Sequence, residues 1–421
     1  MSTTTTGVVL RARRGPFAGL PREAAILSAV SFTVALGYGI VAPAIPDFAH
    51  QFGVSVAAAA SVISAFALMR VAFALPAGRL ADRFGSRRVM AAGIAVVAVS
   101  SVLAGLSQSF AELLVLRGIG GLGSAMFSVS AQALLLASVP GQQRGRASGL
   151  YSAGFLVGGI SGPAVGGLVA AWSLRAPFLI YGGLLVIPAA IAAAAVPGAA
   201  NQTAAGSRPD KPLAVLARAL GSRAYRAAAS ASLAYGFASM GVRSAIVPLF
   251  VHYVLHRSVF WTGIGFLAFA ALNAVALLPG GRAADALGRR PVIITGCTAF
   301  AGGMVMLALL PDLWGYLAAL AVSGLGSGLL DVAPSAMIGD ILTGRDGTLV
   351  ASYQMAGDVG AVTGPLAAGF LVDTASYAAA FWLTAAVLGL AAILGFFAPE
   401  TRPRGLPVTH QDRATVTASE P

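Results

Sequence analysis

Charge is what this sequence lacks most. Only 10% of its 421 residues are Asp, Glu, Lys or Arg, against about 25% in an average soluble domain. That is too little to cover an ordinary water-facing surface. Lysine occurs once, at Lys211, and so does cysteine, at Cys297, which excludes an internal disulfide. The four histidines, His50, His252, His256 and His410, form no metal-binding spacing such as H-E-x-x-H. No G-x-x-x-x-G-K-[ST] loop is present, so ATP is not expected to act directly, and no nucleophile–base arrangement points to an enzyme. A formal net charge of +12 would suit nucleic acid. The basic residues, however, sit between apolar blocks and build no patch, so nucleic-acid binding is not expected.

Apolar residues fill the space that charge leaves, at 57% of the chain. A bilayer core about 30 Å thick is crossed by roughly 20 apolar residues in a helix. Twelve such blocks can be marked, at 25–46, 54–77, 88–107, 112–138, 150–172 and 176–197, and again at 226–250, 260–280, 291–311, 314–339, 350–372 and 376–397. The 52 glycines and 22 prolines fit this reading, because membrane helices tolerate both and small residues permit close packing. The reading is an all-α membrane protein with a polar N-terminal tail over 1–24, a six-helix bundle over 25–197, a linker over 198–225, a second six-helix bundle over 226–397 and a disordered tail over 398–421.

The basic residues orient the spans. Of the 27 Lys and Arg residues, 22 fall on one side, two (Arg175 and Arg257) on the other, and three (Arg70, Arg117 and Arg243) within spans. Positive charge accumulates on the cytoplasmic side, so both termini are expected there, with Asn201 in an internal loop. The arginine- and alanine-rich usage suggests a bacterial chain and hence a cytoplasmic (inner) membrane.

The two bundles repeat one another. Gly78, Asp82 and Gly85 correspond to Gly281, Asp285 and Gly288 at an offset of 203. The string GLGS occurs at 121–124 and again at 324–327, also 203 apart. GGISGP ending at Pro163 matches GAVTGP ending at Pro365, 202 apart. Three ordered matches at one period indicate duplication. Six spans per unit make the repeats parallel, with a pseudo-twofold axis along the membrane normal.

These motifs resemble the major facilitator superfamily over nearly the whole chain. The loop after span two reads G-x-L-A-D-R-x-G, with Gly78, Asp82, Arg83 and Gly85; span four carries R-x-x-x-G-x-G from Arg117, with Gly120 where the family often has Gln. Span five carries G-x-x-x-G-P-x-x-G-G, with Gly158, Gly162, Pro163, Gly166 and Gly167, a pattern associated with antiporters and especially with twelve-span drug:proton exchangers. The resemblance implies a major-facilitator fold and a secondary active exporter of small amphipathic drugs or metabolites, acting by alternating access. It also implies a proton gradient as driving force, no cofactor, a small-molecule substrate, contact with anionic lipid headgroups and a monomer. A sugar, amino-acid or other metabolite transporter working by symport or uniport is the alternative.

Ionisable residues within spans are candidate functional sites. Asp331 in span ten can carry a coupling proton or meet substrate, or it can be a structural acid. Arg117 takes the family's coupling position, and Arg243 can bind an anionic group; either can instead pair at an interface. Tyr38, Gln132, Tyr235, Phe237 and Gln354 are further cavity candidates. Asp82, Arg83, Arg87 and Arg88 with Gly78 and Gly85 are expected to form a gate lock, or only a tight turn and topology signal. Asp285 and Arg289 are their counterparts. Arg70 and Asp358 are expected to pair across the seam between bundles, as a gate or as a fixed structural pair. Asn273 is a cavity candidate as well, and its repeat position, that of Arg70, favours a role at the same seam. Gly154, Gly158, Gly162 and Gly166 form one stripe, read as a sliding seam between bundles or as static close packing; Pro163 can bend that helix. Asp47 lies at the outer end of span one, where exchangers of this kind often have a buried acid deeper in the span.

Overall fold

A computed structural model describes residues 21–139, 144–194, 219–341 and 347–402. The N-terminal tail, the linker and the C-terminal tail expected from the sequence lie almost entirely outside the described residues. Twelve helices are long and apolar enough to cross a membrane. In chain order they are α1 (Arg22–Val41), α2 (Val56–Phe84), α3 (Ser86–Leu106), α4 (Phe110–Ser138), α5 (Arg144–Trp172) and α6 (Ala176–Ala193). The second six are α7 (Arg223–Tyr253), α8 (Val259–Leu287), α9 (Arg289–Leu309), α10 (Leu313–Ile341), α11 (Gly347–Thr374) and α12 (Tyr377–Phe396). A short helix, Ile45–His50, follows α1. The end that holds Arg79, Arg83, Arg88, Arg282 and Arg290 is termed the basic end. The opposite end holds Arg175 and Arg257.

Several helices outrun the apolar blocks. α2, expected to stop near residue 77, continues to Phe84 and spans 29 residues, or roughly 43 Å at 1.5 Å per residue. The loop motif is therefore mostly helix. Ala, Leu and Arg favour that conformation, and only Gly85, with φ of 88°, makes the turn into α3. Gly78 lies inside α2 and forms no part of a turn, contrary to the expectation. Gly288, with φ of 110°, makes the same one-residue turn between α8 and α9. Other helix starts are fixed by serine: Ser55, Ser109 and Ser376 each accept a backbone N–H three residues on, which satisfies one of the orphan donors of a first turn.

The duplication is visible as repeated contacts. Gly121 lies against the backbone of Phe66, and Gly324 against that of Phe269. Ser31 donates to the Tyr151 carbonyl at 3.2 Å, and Ser232 to the Tyr353 carbonyl at 3.2 Å. Pro46 and Pro248, 202 apart, each open the short helical segment that closes the span before it. In α7 that segment is preceded by a π-helical stretch, Gly236–Val242.

The glycine stripe of α5 packs within its own half. Gly154, Gly158, Gly162 and Gly166 lie on the carbonyls of Ser28, Phe32, Leu36 and Ile40 of α1. They are not the seam between bundles. Their spacing of four places them on one face, and that face is the one turned to α1. Gly167, one position off the stripe, meets the other half at Gly263 of α8, which also lies against the Pro163 carbonyl. α11 repeats the arrangement on α7, with Gly360 and Gly364 against Leu233 and Phe237. A side chain at Gly158 would meet backbone, whereas at Gly159 nothing lies within 4 Å of an added Cβ. Gly158→Leu is expected to lower stability by about 1–3 kcal/mol through overpacking, and Gly159→Leu to leave it unchanged. Thermal unfolding in one detergent compares the two.

Candidate functional site: a cavity between the halves

Polar contacts between the halves run from the arginine-poor end only as far as mid-membrane. Asp373 accepts the Val56 and Ala57 amides at 2.9 Å each, so α11 caps the start of α2. Farther along, Ser64 donates to the Val362 carbonyl at 2.7 Å. The last such contact is the ion pair between Arg70 and Asp358. Among the described residues, no hydrogen bond or salt bridge joins the halves beyond it toward the basic end. The halves are thus tied at the arginine-poor end, and carry no such polar tie at the basic end among the described residues.

At the basic end the two copies of the loop motif differ. Asp82 and Arg83 are exposed and make no salt bridge among the described residues. Arg83 stands over the Phe84 ring, Arg87 reaches the Ala193 carbonyl of its own half, and Arg88 is exposed. In the second copy, Arg289 pairs with Asp285 at 2.7 Å and with Asp340 at 3.0 Å. Glu400 accepts the amides of Arg289, Arg290, Thr401 and Arg402. Burial raises its pKa, but these four donors outweigh it and hold the carboxyl below its usual range. Asp285 and Arg289, expected at a gate, thus pair within their own half. The sequence reading missed Asp340 and Glu400, which acquire partners only through the fold.

Asp331 of α10 anchors a mid-membrane cluster. Asn273 of α8 donates through Nδ2 to Asp331 Oδ2 at 2.7 Å and to Ser327 Oγ at 2.8 Å. Tyr235 of α7 stands beside Asp331, Ser327 and Ser239. The acid is solvent-accessible even though these helices surround it. Asn273 is buried and serves this carboxylate. Its assignment to the seam is corrected: where α2 presents Arg70 to the other half, α8 turns the equivalent position toward α10. Gln132 and Gln354 are exposed, and Phe237 is buried.

Two arginines lie nearer the tied end. Arg117, only 2% exposed, stands over the Phe66 ring at 4.6 Å. Arg243 stands over Phe266 at 4.7 Å and Phe269 at 4.5 Å. Phe66 and Phe269 are repeat counterparts, and Tyr38 stands near both guanidiniums. Neither arginine has a salt-bridge partner among the described residues, and Nε of each lacks a hydrogen bond. Ring faces offset part of the burial cost of such a charge, by about 0.5–2 kcal/mol.

A family model described as Major Facilitator Superfamily matches residues 27–271, with a second match over 228–419. With twelve spanning helices in two repeated bundles, this chain belongs to the major facilitator superfamily. It is 26% identical to the MFS-type transporter YceJ of Bacillus subtilis over 373 residues, 87% of this chain and 91% of YceJ. It is 35% identical over 214 residues, half of its length, to an MFS-type transporter of Mycobacterium tuberculosis, of which it spans 30%. Over 156 residues it is 30% identical to the quinolone resistance protein NorA of Staphylococcus aureus, covering 37% of this chain and 40% of NorA. The chain thus spans less than half the length of the Mycobacterium and Staphylococcus relatives. Among solved structures, a bacterial homologue of the human lysosomal transporter Spinster superimposes with a TM-score of 0.75 at 17% identity, over 90% of this chain and 97% of that one. At that identity the likeness shows a shared fold.

The cross-half ion pair is testable on its own. Its side chains are 41% and 26% exposed, so water screens it and a coupling of about 1 kcal/mol is expected. Arg70→Asp and Asp358→Arg should each lower thermal stability, and the double exchange should restore it. Additive losses in the double variant would contradict a direct pairing.

Proposed function

We propose that this chain is a proton-coupled exporter of small amphipathic molecules, working by alternating access. The observation that carries the reading is Asp331, a solvent-accessible mid-membrane carboxylate held by Asn273 at 2.7 Å. An acid so placed can hold either a proton or a cationic or neutral substrate, and that exclusive choice is the basis of exchange. The α5 motif and the partial likeness to NorA support the same direction of transport. One charge moved across the membrane is worth about 2.3 kcal/mol per 100 mV, so a proton gradient can drive accumulation without ATP.

The distribution of basic residues supports a cytoplasmic basic end, with both termini on that side of a bacterial inner membrane. The tied arginine-poor end then faces outward and the cavity opens to the cytoplasm. In this reading Asp82 and Arg83 engage the second half only when the basic end closes, while Arg87 and Arg88 meet anionic headgroups. The protein acts as a monomer, without a cofactor.

Arg117 and Arg243 favour a second reading. A buried guanidinium without a carboxylate partner is suited to an anionic group, so a metabolite anion is the alternative cargo, moved by symport or uniport.

Proteoliposomes with an acidic interior, offered cationic, neutral and anionic compounds, separate the two. Antiport predicts uptake of a cationic or neutral compound that follows the pH gradient, with proton exit recorded by a pH dye. Asp331→Asn should cut gradient-driven uptake by about tenfold or more, the equivalent of about 1.4 kcal/mol of lost coupling. Uptake of anions only, indifferent to Asp331→Asn, would overturn the exporter reading in favour of the second.

A further inference from the structure

The arginine-poor end carries a titratable cluster that the transport reading leaves without a role. Two repeat-related segments meet there, Ile45–His50 after α1 and Val247–Tyr253 closing α7. Each carries a histidine at the same repeat position, His50 and His252, 202 residues apart. The two segments bind one another across the halves: the Tyr253 hydroxyl and His50 Nδ1 are 3.0 Å apart. The Tyr253 ring also lies against both imidazoles, with centroids at 4.8 Å and 4.6 Å. Behind this contact sits Asp47, only 3% exposed, and neither carboxylate oxygen has a hydrogen-bond partner. The nearest base is His252, whose Nδ1 is 3.9 Å from Asp47 Oδ1 and whose side chain is 48% exposed on the outer surface.

We propose that Asp47 and His252 form a proton-binding site at the arginine-poor end, loaded when that end closes and emptied when it opens. An ionised carboxylate buried without a donor is strongly disfavoured. In the closed arrangement Asp47 therefore holds a proton, with His252 as its nearest basic neighbour. When the two segments part, Asp47 meets water and returns toward an ordinary carboxylate. The other titratable groups around the site do not supply the missing donor. His50 is engaged by Tyr253, and Tyr377 of α12 adds only a phenol. Asp373 of α11 is occupied by the α2 amides. Arg175 is held over the Phe48 ring at 5.8 Å, with a guanidinium N–H 3.4 Å from the Ser107 carbonyl.

Burial pushes Asp47 up to about 8 in the closed arrangement, while burial moves His50 the other way, against the pull of Asp373 and with the push of His252. The sign follows from linkage. The closed form binds a proton that the open form, with an ordinary carboxylate, has lost. Acidity therefore favours closure, and closure weakens as the pH rises through about 8. Between those two affinities each pH unit changes the closed-to-open ratio about tenfold. The consequence deepens the exporter reading and rests on it: a proton arriving from outside would itself shut the outer end and commit the carrier to its cytoplasm-open form.

The test needs no substrate, so it stands apart from the transport assay. Spin labels at Gln51→Cys and Arg257→Cys, in a Cys297→Ser background, report the distance across the arginine-poor end in lipid nanodiscs. From about pH 5 to about pH 9, the labelled protein should shift from a short to a long distance. Asp47→Asn, neutral at every pH, should stay short throughout. His252→Gln, which replaces the basic neighbour 3.9 Å from the carboxylate, should displace the transition. A pH-independent distance in the protein with Asp47 intact, or an unchanged transition in both variants, would overturn the proposal. Retained transitions with no proton-coupled flux would instead count against the exporter reading alone.

Discussion

Backbone lying on backbone is the contact on which the rest of this structure depends. Lipid tails are as apolar as leucine, so helices in a membrane gain little from hiding apolar side chains and associate mainly through close packing. Here the approach is made at glycine. α5 lays four of them on successive carbonyls of α1, and α11 repeats the device on α7. Gly121 and Gly324 press α4 and α10 onto α2 and α8. A helix pair joined this way has no side chains to repack, so each half behaves as a block. Motion is left to the boundary between blocks.

That boundary holds part of the scarce charge. Arg70 and Asp358 end the closed stretch of the seam, and Asp373 caps α2 from the other half. The outermost layer is the cluster of Asp47, His50, His252 and Tyr253. Within each half the charges are either satisfied locally, as Arg289 is by Asp285 and Asp340, or held over aromatic faces, as Arg117 and Arg243 are. The asymmetry between the loop motifs follows the same logic. The second copy is tied into its own half, while Asp82 and Arg83 of the first remain open to a new partner.

Much of this was legible in the sequence, for reasons that can be named. Span count and the duplication depend on block length and on an offset of 202–203, both one-dimensional properties. The meeting of Arg70 with Asp358 followed from equal depth in two spans that the family resemblance placed side by side. What failed was direction around the helix axis. The α5 stripe was left open between a sliding seam and static close packing because spacing gives a face but not its neighbour, and the face is packed on α1. Of the two readings of Asn273, cavity and seam, the seam one was favoured because repeat position gives depth but not rotation, and α8 turns it onto Asp331. The turn was placed across Gly78 to Gly85, since a polar motif does not show that its alanines and arginines keep α2 helical to Phe84. The meeting of the arginine-poor ends did leave a trace: His50 and His252 obey the repeat offset, which puts them at equal depth.

The central claim is that two rigid halves rock about the seam, so that one end closes as the other opens. The most direct measurement is a pair of distances taken in the same nanodisc sample series, one across each end. Labels at Arg79→Cys and Arg282→Cys span the basic end, labels at Gln51→Cys and Arg257→Cys span the arginine-poor end, and a pair on α1 and α5 serves as the internal reference. The account predicts that the two end distances change in opposite directions across conditions while the reference distance stays fixed. Ends that widen or narrow together, or a reference distance that changes with them, would contradict it.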